Sequence, residues 1–393
     1  MFNANPLQRF KYLMTYDNLE GGKNMIRQLF GIFICMLLII TVLPASGNID
    51  VSNNLIPLSS GKTLFVGGSG PGNYSTIQEA IDDSSDGDKI FVFDDSSPYI
   101  ENIIVDKSID LIGENKDTTI IEGSDVDSIV LITENNVTFS GFTIQNSLYD
   151  GIIIVQDENP PWNNEIYNVN VFDNNIKNVS RGIFGLTLSD SEIFNNNIKD
   201  SVAGIYLCQS SNSNVSGNYI SDCEYRGIEI NAFRSEHYIV DRILNRLSPP
   251  AENNIVYRNT LEHNRWGIDI GSDCTKTKVI ENNIINNFEV GIQLQSSSNI
   301  EIKRNNFIET ENYLEYTPAK FSAVNRYKQY FTNSWDANYW DEPMDKPVPI
   351  NGIFYFYILI PIGLKGGIEF EIYHHSLVTY DRHPAQEPYD IKK

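Results

Sequence analysis

The stretch VFDNNIKNVSRGIFGL at residues 171–186 returns 22 residues later as IFNNNIKDSVAGIYLC at residues 193–208. Two phrases carry the repetition. The first is an aliphatic residue, two others, Asn, one other, then an apolar residue. It begins at Val171, Ile193, Val215, Val256, Ile280 and Ile302, and sets asparagines at Asn174, Asn196, Asn218, Asn259, Asn283 and Asn305, in steps of 22, 22, 41, 24 and 22 residues. The second phrase is Gly-Ile, at Gly151, Gly182, Gly204, Gly227, Gly267 and Gly291. Within each period, apolar and polar positions alternate over short stretches, as where Ile228 and Ile230 flank Glu229. That is the period of a strand and not of a helix.

A unit near 22 residues holding two or three short strands is one rung of a solenoid. A leucine-rich repeat has a similar length, but its fixed leucine spacing and helical segment are missing. The pattern predicts an all-β chain wound as a right-handed parallel β-helix. Rungs in such a coil stack about 4.8 Å apart, so equivalent positions form columns. Ile152, Ile183, Ile205, Ile228, Ile268 and Ile292 are predicted as one inward column. The asparagines are predicted as a ladder of side-chain amides bonded rung to rung at an internal corner. Residues present in every rung mark the building rule, so these asparagines read as structural and not catalytic.

Upstream of the regular rungs, YSTIQEAI (74–81) offers Thr76 and Glu79 as a capping box, with Ile77, Ala80 and Ile81 on one helical face. It reads as a helix covering an end that would otherwise expose strand edges. KIFVF (89–93), IIVDKSIDLIG (103–113) and TTIIEG (118–123) read as the first, less regular rungs. Together with the later rungs, these phrases resemble the NosD-like group of right-handed parallel β-helix proteins, broadly pectate-lyase-like in fold, over residues 62–312. The downstream NSWDANYWDEP (333–343) and HPAQEPYDI (383–391) resemble tails of archaeal secreted members. The resemblance implies export and a β-helical scaffold; its phrases specify fold and say little about chemistry.

Arg27 and Gln28 precede an unbroken apolar run from Leu29 to Leu43, followed by Pro44, Ala45, Ser46 and Gly47. That layout predicts a secretory signal within residues 1–47, cleaved near Ala45–Gly47, with translation starting at Met1 or Met25. The run falls short of the roughly 20 residues of a spanning helix, which favours cleavage over a permanent membrane anchor. With 51 acidic against 29 basic residues the chain carries a net charge of −22, which repels nucleic acid. Beyond Cys35, the three remaining cysteines, Cys208, Cys223 and Cys274, lack metal-ligand spacing and read as small buried hydrophobes. Residues 321–393 break the rhythm and are aromatic-rich, which predicts a small C-terminal cap. GIFYFYILIPIGL (352–364) reads there as strand, being short and Pro-interrupted for a membrane span.

The interval from each Gly-Ile to the next aliphatic phrase is 11 residues at Gly182, Gly204 and Gly291, but 20 at Gly151 and 29 at Gly227. Both insertions leave the coil at one phase, three rungs or about 14 Å apart, and could wall a groove. On its floor would lie the outward column Ile153, Phe184, Tyr206, Glu229, Asp269 and Gln293, aromatics followed by acids. Trp162 rides on the shorter insertion, and Arg226, His263, Arg265 and Trp266 lie near the acids in sequence. Rings stack on sugar faces and carboxylates take hydroxyls, so the predicted ligand is a polysaccharide or cell-surface glycan. Glu229 and Asp269 should be stacked neighbours whose charges repel unless one is protonated, an arginine bridges them, or a cation such as Ca²⁺ sits between. Three readings stand: a non-catalytic glycan-binding protein; a polysaccharide lyase or glycoside hydrolase using Glu229 and Asp269 with Arg226 or Arg265 as helper; and a purely structural or adhesive one.

Overall fold

A computed structural model describes residues 61–123, 127–156, 164–232, 251–309, 317–324, 332–361 and 367–391. Each turn of the chain lays one short strand in each of three long sheets before the next turn begins. Among the described residues these sheets have eleven, ten and eleven strands. The first sheet runs from Thr63–Val66 to Ser334–Asp336 and the second from Tyr99–Ile100 to Tyr339–Trp340. The third runs from Ile103–Val105 to a closing antiparallel hairpin, Val348–Pro361 with Gly367–Asp381; within the three sheets every other strand pair is parallel. The chain is a right-handed parallel β-helix.

The register follows the repeat. Ile152, Ile183, Ile205, Ile228, Ile268 and Ile292 are successive partners in the third sheet, each at most 1% exposed. The glycine before each isoleucine is required by the stacking itself. A Cβ on Gly182, Gly204 or Gly267 would sit 2.8, 2.3 or 2.5 Å from the carbonyl oxygen of the glycine one rung on. No side chain fits where rungs approach so closely at a corner.

The corner between the first and second sheets carries the asparagine ladder. Asn174 donates its amide N–H and its side-chain Nδ2 to Asn196 Oδ1, and the pattern repeats through Asn218, Asn259, Asn282, Asn305 and Asn338. The fifth member is therefore Asn282 and not Asn283, which lies in the second sheet opposite Thr260. The cause is local ambiguity: in Val279-Ile280-Glu281-Asn282-Asn283, two aliphatics and two asparagines stand side by side, so the phrase fits at either offset. Val279 is the true partner of Val256 and Ile302.

The coil also continues beyond residue 312. Ser334–Asp336 and Tyr339–Trp340 form a further rung, with Asn338 in the ladder and Trp335 and Trp340 buried where earlier rungs use aliphatics. Asp381 then ends the ladder. Its buried carboxylate accepts from Asn338 N–H at 3.0 Å, Asn338 Nδ2 at 2.9 Å and Trp340 Nε1 at 3.1 Å. Near the other end, Ile77–Asp82 is a helix with Ile77, Ala80 and Ile81 buried. Thr76 accepts from Glu79 N–H, but Glu79 does not reach back. Instead Glu101, from the next rung, accepts from Ile77 and Gln78 N–H at 2.8 and 3.0 Å.

Candidate functional site

The outer face of the third sheet carries the predicted column. Ile153, Phe184, Tyr206, Glu229, Asp269 and Gln293 are register partners in that order, and Lys320 follows. Both insertions leave after third-sheet strands, Ile152–Ile154 and Arg226–Asn231. They return through Ile166–Tyr167 and Ala251–Glu252, which pair with Leu188–Ser189 and Cys274–Thr275 in two small sheets. The shared phase is thus as predicted. Trp162 lies outside the described residues.

The column has an apolar half and a polar half. Phe184 and Tyr206 rings lie 5.3 Å apart and half-buried, beside a cluster of Val155, Leu186 and Cys208 that the alternation also turns outward. Arg181 lies over the Phe184 ring at 3.8 Å and is held by Asp150, 2.9 Å from Nε to Oδ1. Burial pushes the Cys208 thiol up to about 12, so it behaves as a hydrophobe. Cys223 and Cys274 are also free and buried.

In the polar half, Glu229 and Asp269 are adjacent, and an arginine bridges them. Arg226 places Nε 2.8 Å from Asp269 Oδ2 and Nη1 3.1 Å from Glu229 Oε2. The guanidinium is itself set near two rings, 4.6 Å from the Tyr225 centroid and 4.8 Å from that of Trp266. Gln295 Nε2 donates to both oxygens of Asp269 at 2.9 Å, and Asp269 is only 1% exposed. Burial raises both carboxyls above their ordinary range, with Arg226 opposing the shift. Arg226 therefore fills the role that the Ca²⁺ reading gave to a cation, and among the described residues no group of three or more His, Cys, Asp or Glu is gathered as metal ligands.

Not every predicted residue joins the site. Arg265 turns to Glu289, 2.8 Å from Nη2 to Oε1, and does not pair with Glu229 or Asp269. Trp266 Nε1 donates to Glu289 Oε2 at 2.7 Å, while its ring serves as a platform for Arg226. His263 stands at the corner after Thr260–Glu262, its Nδ1 3.8 Å from Asp222 Oδ1, off the column. Sequence reasoning missed Gln295, Asn231 and Lys320. Gln295 sits two residues after Gln293 on the same face of its strand, so alternation alone could have found it. Gln293 Oε1 is buried without a hydrogen-bond partner.

A family comparison agrees with this architecture. The family described as "Right handed beta helix region" matches residues 111–246. No characterised protein matches by sequence. Similar solved structures include the enzymatically active domain of bacteriophage CBA120 tailspike protein 2, at 10% identity and a TM-score of 0.47, over 66% of this chain and 40% of that one. This chain thus spans about two fifths of the tailspike domain. Others are an alginate lyase from a Paenibacillus species, at 13% identity and TM-score 0.44 over 72% and 88% of the two chains, and a polygalacturonase from Erwinia carotovora, at 10% and 0.46 over 72% and 91%. No residue role is carried over from them.

Proposed function

We propose that this protein is exported and binds a polysaccharide or cell-surface glycan along the outer face of the third sheet without cleaving it. The observation that carries the reading is the single column in which half-buried Phe184 and Tyr206 rings lead directly into Glu229. Flat rings offer an apolar platform for a sugar face, and a few fixed polar groups beside them select its hydroxyls. The secretory layout of residues 27–47 supports export and release from the membrane, and among the described residues no helix is long and apolar enough to cross one.

The acid pair argues against cleavage by Glu229 and Asp269. Glycosidic cleavage needs two carboxyl groups that both reach the scissile bond, whereas both Asp269 oxygens are taken by Gln295 and one of them also by Arg226. Of the two raised carboxyls only that of Glu229 keeps an exposed edge, with 12% of its side chain accessible, and a raised carboxyl is the property of a general acid; this keeps a lyase or hydrolase as the second reading. On a glycan array the full chain should give positive spots that Phe184→Ala/Tyr206→Ala weakens at least ten-fold. A blank array together with measurable turnover would overturn the binding reading.

A further inference from the structure

The chain holds four Asn-x-Ser/Thr triplets, at Asn73-Tyr-Ser75, Asn136-Val-Thr138, Asn178-Val-Ser180 and Asn214-Val-Ser216. The triplet is the acceptor phrase for attachment of an oligosaccharide to the asparagine amide nitrogen. In a chain so rich in asparagine the phrase alone selects nothing. The fold separates the four. Asn73 is half-buried, and its Nδ2 donates to Gly67 O at 2.6 Å. Asn178 is exposed, but its Nδ2 donates to Asn146 Oδ1 at 2.9 Å. Asn214 is half-buried within the first sheet, between Glu192 and Ile255 on the strands either side, and its Oδ1 is sealed from solvent. An enzyme cannot gather an amide so enclosed.

Asn136 differs on each count. It is exposed at the corner leading into Thr138–Ser140, in the left-handed conformation at φ 57°, which asparagine adopts more readily than most residues. Its Oδ1 accepts from Asn168 Nδ2, one rung on, at 2.8 Å. Amides at this corner donate to the preceding rung, as Asn253 does to Asn212 at 3.1 Å. Below Asn136 stands Ser108, two residues before the Asp110 that partners Thr138, and its hydroxyl is turned to Asn135 O at 2.7 Å. Among the described residues Asn136 Nδ2 therefore donates to nothing. Substitution at that nitrogen leaves the oxygen's bond to Asn168 intact and keeps one N–H, so the product costs the fold no contact.

We propose that Asn136 is an N-glycosylation site whose donor is a lipid-phosphate-linked oligosaccharide. Nδ2 bonds to the anomeric carbon of the first sugar, the bond from that carbon to the phosphate oxygen breaks with its electron pair leaving on the lipid phosphate, and one Nδ2 proton passes to a base of the transferase. The proposal rests on export, since such transfer takes place on the far side of a membrane. Incubation of the purified full chain with a single-subunit oligosaccharyltransferase and its lipid-linked donor tests the selection, with occupancy read by peptide mass mapping and synthetic peptides carrying the four triplets alongside. The preference for Asn136 over each other asparagine should be at least ten-fold greater in the folded chain than among the peptides, because the fold and not the triplet makes the choice. Thr138→Val, which keeps the shape of the strand, should remove the Asn136 product. An unmodified Asn136, a preference no greater than in the peptides, or a product that persists in Thr138→Val would overturn the proposal. In cells, a chain secreted with Asn136 bare would overturn it and leave export standing, whereas a chain retained inside the cell would overturn the export on which it rests.

Discussion

Asp269 points to the outside of the coil and is nonetheless sealed, because Arg226, one rung away, reaches its Oδ2 while Gln295 covers both oxygens. The alternation of GIEI and GIDI is enough to place Glu229 and Asp269 side by side and outward. It cannot say which arginine answers them: Arg226 and Arg265 precede their acids by three and four residues, and only side-chain reach and the competing Glu289 decide. The arrangement has a pH consequence with a definite sign. Burial raises both carboxyls, so the folded chain holds those protons more readily than the unfolded chain does. Their stabilising contribution is full below the ordinary carboxylate range near pH 4 and is lost as pH rises through the raised values. Asp269→Asn escapes that loss, so its Tm relative to the native chain should rise between about pH 4 and pH 7. A constant offset across that window would contradict the buried-acid description.

At the scale of the element, the rung is legible wherever its phrases are unique and ambiguous wherever they are doubled. Asn174, Asn196, Asn218, Asn259 and Asn305 take their predicted places in the ladder, whereas the doubled Asn282-Asn283 shifted one position by a single residue. A slip of one residue turns each side chain to the opposite face, so only the true register buries Val279 and Asn282. The last rung escaped notice because Trp335 and Trp340 replaced aliphatics, although Asn338 kept its spacing from Trp335. Every bond in the ladder is donated in one direction, so its final member needs an acceptor that brings no donor of its own, and the Asp381 carboxylate is that group. Asp381→Ala would orphan three buried donors, at about 1–3 kcal/mol each. Hydrogen exchange should then quicken in Ser334–Asp336 and Tyr339–Trp340 before it does in the middle rungs; uniform or unchanged protection would count against the terminator role. Gly204→Ala should cost about 1–3 kcal/mol in denaturant unfolding, since its methyl would meet both Gly227 O at 2.3 Å and Ile220 Cγ2 at 2.6 Å. A variant as stable as the native chain would show that the corner can widen.

For the molecule as a whole, stacking converts residues 21 to 41 apart in sequence into neighbours, and so lets a chain of weak local signals build one long, regular face. The fold was legible from periodicity alone because each rung restates the same rule. The site was legible only in part: its column follows from the repeat, but its electrostatics depend on which long side chains reach across rungs, and the two insertions carry no repeat to read. The face proposed to hold a chain of sugars has its paired acids tied up by an arginine. The most direct measurement is to incubate the full chain with the polysaccharides it retains and follow new reducing ends and unsaturated products, with Glu229→Gln alongside. Retention without product, identical in the two proteins, is the predicted result. Steady product release abolished by Glu229→Gln would contradict it and make the outer face a catalytic one.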